Sequence, residues 1–300
     1  MKEQQSAVDK KEYCTICPRQ CKADRITTTG ICSVGNELRI GRIAPHLWEE
    51  PCISGENGSG TIFFAGCNLK CVYCQNEKLS RARVGQLYSV EELAEEMIKL
   101  QNQGVHNINL VTPTHYIPSV VQTLRLAKEK GLSIPVVYNT SGYEKVESLR
   151  LLEGLVDVYM PDFKYISSEP AEKYSRAKDY PEVVKKAIEE MYRQVSDPVF
   201  DEEGMMKRGV LIRHLVLPGM ADESKAVISY IYETFGHKVY ISIMNQYTPV
   251  GSLENFPELQ HRITEQEYDE VVDYAIELGV ENGFIQEGET SDESFIPEFL

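Results

Sequence analysis

Residues 60–76 read GTIFFAGCNLKCVYCQN, and this stretch decides the fold. GTIFFA (60–65) is a short apolar run suited to a parallel strand buried on both faces. Gly66 permits a sharp turn out of that strand. Cys67, Cys71 and Cys74 follow at once, spaced C-x3-C-x2-C. A strand that runs directly into chemistry-bearing side chains predicts an α/β fold, whose sites lie at the C-terminal ends of the strands.

Downstream, strand and helix signals alternate. Ser89 and Glu92 form a capping box, and Val90, Leu93, Ala94, Met97 and Ile98 recur at helical spacing until Gly104. Further strands are expected at 107–112, 134–139, 156–160, 209–217 and 238–244, with helices to about 130 and over roughly 144–153, 181–194, 223–235 and 264–278. Six strand–helix units imply a parallel sheet and fall short of the eight of a closed barrel. The expected fold is a partial, open (β/α)6 TIM-like barrel, with a doubly wound sheet as runner-up. Residues 1–58 read as a small N-terminal cysteine-rich segment, 59–287 as the barrel and 288–300 as an acidic tail. Residues 196–208 read as an irregular acidic insertion.

The 300 residues carry a net charge of -15, which repels phosphate backbones and anionic lipid and argues against nucleic-acid and membrane partners. The N-terminus lacks the apolar stretch of a secretory signal, and no apolar run approaches a bilayer span, so a cytoplasmic location is expected. Thiols stay reduced there, and eight cysteines then argue for metal sites over disulfides.

Three thiolates on one loop can each bind one iron of a cubane and leave the fourth iron open to a substrate group. A zinc site with an outside fourth ligand, or unconnected thiols, is the alternative. Tyr73 offers a ring beside the last cysteine. Nearer the N-terminus, Cys14, Cys17, Cys21 and Cys32 suit either tetrahedral zinc or an auxiliary iron–sulfur cluster, because so small a segment needs a metal staple. Cys52 has no partner in the sequence and receives no role.

C-x3-C-x2-C with an aromatic before the last cysteine, after the first strand of such a chain, resembles the radical S-adenosylmethionine (SAM) superfamily. The residue order further resembles its pyruvate formate-lyase activating enzyme branch. The resemblance implies a [4Fe–4S] cluster on Cys67, Cys71 and Cys74 whose open iron binds SAM. One-electron reduction would cleave SAM to methionine and a 5′-deoxyadenosyl radical, which abstracts a substrate hydrogen atom. An electron donor such as flavodoxin or ferredoxin, and a protein or peptide substrate as in glycyl-radical enzyme activation, are implied partners. A small-molecule substrate is the enzymatic alternative. A non-catalytic metal-binding or partner-docking protein and a zinc hydrolase are the other rivals.

The resemblance also places SAM contacts on later strand ends. Thr112, Thr114 and His115 stand where the family usually has Gly-Gly-Glu for the SAM amino group, so that carboxylate is missing here. Asn139 and Thr140 lie in the ribose segment, with Gly142 providing a turn. Lys164 is expected to meet the SAM carboxylate, and Asp162 a monovalent cation together with Asn139, Thr140 and the Met160 carbonyl. A plain Asp162–Lys164 ion pair is the alternative. Arg213, in an otherwise apolar strand, requires an anionic partner; His214 should point outward. Asn245 and Gln246 end the sixth strand near the adenine or substrate position.

Overall fold

The computed structural model describes residues 13–251 and 253–286. The acidic tail at 288–300 lies outside the described residues. The strands, in chain order, are β1 (Leu38–His46), β2 (Ser59–Phe64), β3 (Gln86–Tyr88), β4 (Ile108–Val111), β5 (Val136–Thr140), β6 (Val158–Pro161), β7 (Val199–Phe200), β8 (Met206–Leu215), β9 (Tyr240–Met244) and β10 (Gly283–Ile285). The helices are α1 (Pro51–Ser54), α2 (Glu77–Ser80), α3 (Val90–Asn102), α4 (Ile117–Glu129), α5 (Val146–Leu149), α6 (Ser168–Ser175), α7 (Tyr180–Val195), α8 (Ala221–Phe235) and α9 (Glu265–Leu278).

All six expected strands are present, and they pair in parallel in the order β2-β4-β5-β6-β8-β9. The sheet continues beyond both ends of that run. β10 adds a further parallel strand beside β9, and β1 adds antiparallel to β2 with β3 outside it. The path ends on β10 at one side and β3 at the other, so the barrel is open.

The sequence pattern explains the elements it announced. Every residue of β2 and of β5 is buried, as expected of strands covered on both faces. Ser89 and Glu92 close the capping box at the start of α3, and Thr264 and Glu267 form a second at α9. β1 was not legible because its outer face alternates imperfectly and a register shift interrupts it between Ile40 and Arg42. The expected 144–153 helix shrinks to α5 followed by a 3-10 turn at Arg150–Leu152.

Two further placements matter for the site. Helix α1 packs Cys52 and Ile53 against Val137, Val158, Met160 and Leu211. The acidic insertion forms β7, which folds back on the start of β8 with Val199 opposite Arg208. It therefore lies at the N-terminal end of the parallel strands, away from the end that carries Cys67 and Arg213.

Candidate functional site

The C-terminal strand ends enclose a cavity of about 450 Å³. Cys67, Cys71 and Cys74 line it, together with Thr112, Asn139, Thr140, Asp162, Lys164 and Arg213. Nine residues singled out across five strand–loop units of the sequence thus meet on one cavity. Thr114, His115 and Asn245 are not on its wall, and the four N-terminal cysteines lie outside it.

The cysteine loop is shaped from both sides. Gly66 has φ of 89°, and a Cβ there would stand 2.6 Å from the Cys32 carbonyl oxygen, so only glycine fits. The Cys67 amide donates to that same carbonyl at 3.3 Å, and the Val72 amide donates to the Tyr174 carbonyl at 2.9 Å. Burial raises the Cys67 thiol and pushes Cys74 up to about 12. Such thiols ionise when a metal takes the thiolate, so the donor set fits an iron–sulfur cluster bound through three cysteines.

A hydrogen-bond chain reaches the middle ligand. Ser175 Oγ donates to Cys71 Sγ at 3.0 Å. Ser175 then accepts from Tyr165 at 2.9 Å, and Tyr165 accepts from Tyr73 at 2.6 Å, because each hydroxyl carries one hydrogen. Tyr73 is therefore bound away from the cavity through its hydroxyl, while its body lines the wall.

The polar floor is an ion network. Asp162 accepts from Lys164 Nζ at 2.7 Å through Oδ2 and from Arg213 Nε at 3.0 Å through Oδ1. Arg213 also donates to Asn139 Oδ1 at 2.8 Å and to Glu49 Oε2 at 3.1 Å. The anionic partners demanded by an arginine in an apolar strand are thus Asp162 and Glu49. Burial opposes ionisation of Asp162, but Lys164 and Arg213 outweigh it and hold its carboxyl below the ordinary range. Burial likewise opposes the charge on Lys164, and Asp162 reverses the balance. The backbone supports the geometry: Asp162 bridges Arg213 between strands, and the Phe163 amide donates to the Arg213 carbonyl at 2.8 Å. Gly142 makes room, since a Cβ there would lie 2.5 Å from the Asp162 carbonyl oxygen.

Both oxygens of Asp162 are committed to cationic side chains. The oxygen-lined cation site expected there would face two positive groups, and the ion-pair alternative is the arrangement found.

Thr112 sits on the cavity wall with φ of 58°, a left-handed conformation costly for a β-branched residue. Its amide donates to the Asn139 carbonyl at 2.8 Å, which holds the turn in place. Thr114 instead turns inward and donates to Glu144 Oε1 at 2.5 Å. Thr140 bonds the same oxygen at 2.5 Å, and Tyr138 at 3.3 Å. Burial lifts the Glu144 carboxyl to about 7, against the pull of these three hydroxyls.

His115 is buried behind the cysteine loop, its Nε2 bonded to the Ala65 carbonyl at 2.8 Å. Asn245 fastens the end of β10, its amide donating to Gln286 Oε1 at 2.9 Å. Gln246 does line the cavity. His214 bridges the Phe163 carbonyl at 2.7 Å and Ser224 Oγ of α8 at 2.8 Å, the outward packing expected of it.

Sequence reasoning missed the cavity's other wall. Trp48, Glu49 and Glu50, on the segment between β1 and α1, line it. Burial raises both glutamates against the opposing charge of Arg213. No spacing rule ties them to the cysteines; the presence of the chain's single tryptophan beside two acids is the signal that was there.

A model of the radical SAM superfamily matches residues 61–231. The chain is 32% identical over 272 residues to "Uncharacterized protein MJ0674" of Methanocaldococcus jannaschii, covering 87% of this chain and 74% of that protein. It is 31% identical over 109 residues to MJ1227 of the same organism, provisionally named a glycyl-radical enzyme activating enzyme, over 36% of this chain and 44% of that protein. Among solved structures, SuiB of Streptococcus suis bound to S-adenosylmethionine aligns at a TM-score of 0.49 and 14% identity, over 75% of this chain. The chain spans about half the length of SuiB, 49% of it. The chain belongs to the radical SAM superfamily. Among the described residues, no helix is long and apolar enough to cross a membrane.

Proposed function

We propose that the chain binds a [4Fe–4S] cluster through Cys67, Cys71 and Cys74 and cleaves SAM reductively to abstract a hydrogen atom from a protein or peptide substrate. The observation that carries this reading is the convergence of those cysteines with Asn139, Asp162, Lys164 and Arg213 on one cavity. Cys67, Cys71 and Cys74 would hold the cluster, and cluster and SAM together would supply the one-electron chemistry that removes a substrate hydrogen atom.

The chain's own residues orient and enclose. Lys164 and Arg213 give the cavity two cations for the SAM carboxylate, each already aimed by Asp162. Asn139 stands at the end of β5 with its Oδ1 held by Arg213, and its amide nitrogen, 3.5 Å from Glu49 Oε1, is the group suited to a ribose hydroxyl. Thr112, its amide already held by the Asn139 carbonyl, leaves its carbonyl and hydroxyl oxygens as acceptors in place of the missing carboxylate. A monovalent cation forms no part of this reading, because Lys164 and Arg213 hold Asp162.

A polypeptide substrate is favoured by volume and by the rim. About 450 Å³ suits one drug-sized ligand, which SAM itself would fill, so a substrate meets the radical at the mouth. Trp48 is 64% exposed at that cavity and Ile285 50%, giving an apolar rim. The partial likeness to MJ1227 points the same way. The electron comes from an external one-electron donor of the flavodoxin or ferredoxin kind.

The test is anaerobic reconstitution with iron and sulfide, then SAM and dithionite. 5′-Deoxyadenosine should form. Its absence with the cluster intact and SAM bound would sink the reading in favour of a non-catalytic metal protein.

A further inference from the structure

We infer that Cys14, Cys17, Cys21 and Cys32 hold a second iron–sulfur cluster, seated against the loop that carries the first. The inference deepens the proposed function and adds a metal site to it.

Residues 13–36 contain no helix or strand, yet Cys17 and Cys32 are each only 6% exposed. Backbone bonds fold the segment on itself. The Cys14 amide donates to the Ala23 carbonyl at 3.0 Å, and the Lys22 amide returns a bond to the Cys14 carbonyl at 3.0 Å. Gly30 lies directly against two of the sulfurs: a Cβ there would stand 3.1 Å from Cys21 Sγ and 3.5 Å from Cys32 Sγ. Cys17 in turn lies within electrostatic reach of Cys14 and Cys32. A core-poor segment that gathers four thiols in this way has the character of a metal-stapled module.

A second observation points to an anionic occupant. Arg25 is 6% exposed, and its Nε–H is buried with no hydrogen-bond partner among the described residues. Its other nitrogens donate to the carbonyls of His115, at 2.5 Å, and Gly35. Its charge falls on Cys21 and Cys32. A buried guanidinium with a free donor is costly unless an anion meets it. A thiolate-ligated metal group with sulfide acceptors supplies both negative charge and acceptor.

Four thiolates complete the ligand set of a cubane, in which each cysteine binds its own iron. Tetrahedral zinc takes the same four thiolates but brings no sulfide to accept from the Arg25 Nε–H.

The two ligand sets touch. Cys67 donates its amide to the Cys32 carbonyl at 3.3 Å, and Arg19 Nε donates to the carbonyl of Asn68, inside the C-x3-C loop, at 2.8 Å. Lys70 of that loop bonds Ser33 Oγ. The N-terminal module is thus a wall of the catalytic loop.

The test counts metals in the full chain, reconstituted anaerobically with iron, sulfide and an equal concentration of zinc. Wild type should hold about eight irons, four per cluster. The Cys67→Ala/Cys71→Ala/Cys74→Ala variant should keep about four, with a reduced-state paramagnetic signal that SAM does not shift. Cys17→Ala/Cys32→Ala should keep about four, with a signal that SAM does shift. Zinc in place of iron in the triple variant, or no metal at all, would overturn the inference. Should the double variant fail to fold, the triple variant decides alone, since it leaves the N-terminal cysteines intact. A wild-type signal indifferent to SAM would instead count against the proposed function, and iron retained in the triple variant would still support the second cluster.

Discussion

Ser175, the last residue of α6, donates its hydroxyl hydrogen to the sulfur of Cys71 at 3.0 Å. The bond joins residues 104 apart in sequence and ends a chain that starts at Tyr73. Hydrogen bonds to cysteine sulfur stabilise the more negative, reduced state of a cluster and raise its potential. Ser175→Ala should therefore shift the cluster proposed on Cys67, Cys71 and Cys74 to more negative potential. One hydrogen bond of about 0.5–1.5 kcal/mol corresponds to roughly 20–60 mV for one electron. A redox titration followed by electron paramagnetic resonance checks the sign, and a positive shift would contradict the argument.

Arg213→Lys is not a conservative change here. Arg213 spreads its nitrogens over Asp162, Asn139 and Glu49, a fork that a lysine ammonium cannot reproduce. Loss of hydrogen bonds to charged, buried partners should destabilise the fold by about 1.5–3 kcal/mol. SAM affinity should fall as well, because Asp162 would be held by Lys164 alone and the guanidinium offered to the SAM carboxylate would be gone. Thermal unfolding and SAM titration of the cluster-loaded protein measure the two effects, and an unchanged melting temperature would count against this network.

Glu144 makes stability depend on pH in an unusual direction. Its folded carboxyl titrates near 7, above the ordinary 4.5, because burial favours the neutral form. Below about pH 4.5 both folded and unfolded states hold the proton and nothing is lost. As pH rises toward 7, the unfolded state ionises first, so folding stability falls by an amount on the order of 3 kcal/mol. Glu144→Gln should remove this decline. Chemical denaturation from pH 4.5 to 8 reads the difference, which should widen with pH in favour of the variant and then level off above 7.

Thr112→Gly should stabilise the chain. The left-handed backbone costs a non-glycine residue about 1–2 kcal/mol, and glycine's greater unfolded-state freedom takes back about 0.5–1. A net gain of up to about 1.5 kcal/mol is expected from thermal unfolding. A loss would mean that the hydroxyl makes up for the strain.

The sequence by itself determined the parallel α/β frame. Runs such as 60–65 and 134–139 are apolar throughout because both faces are covered, and that pattern survives any packing detail. It also marked Cys67, Cys71 and Cys74 as the ligand set proposed here, since C-x3-C-x2-C fits on one short loop whatever surrounds it. Asp162 and Lys164 are near neighbours, so their pairing was open to local reasoning. Only the tertiary structure decided what stands opposite them. Glu49 reaches Arg213 across 164 positions, and Ser175 reaches Cys71 across 104. Neither contact has a period or spacing to betray it, because each depends on how the open sheet curls. The same holds for Thr114 and His115: their sequence position suited the cavity, but the tight turn at Thr112 rotates them away from it, toward Glu144 and Ala65.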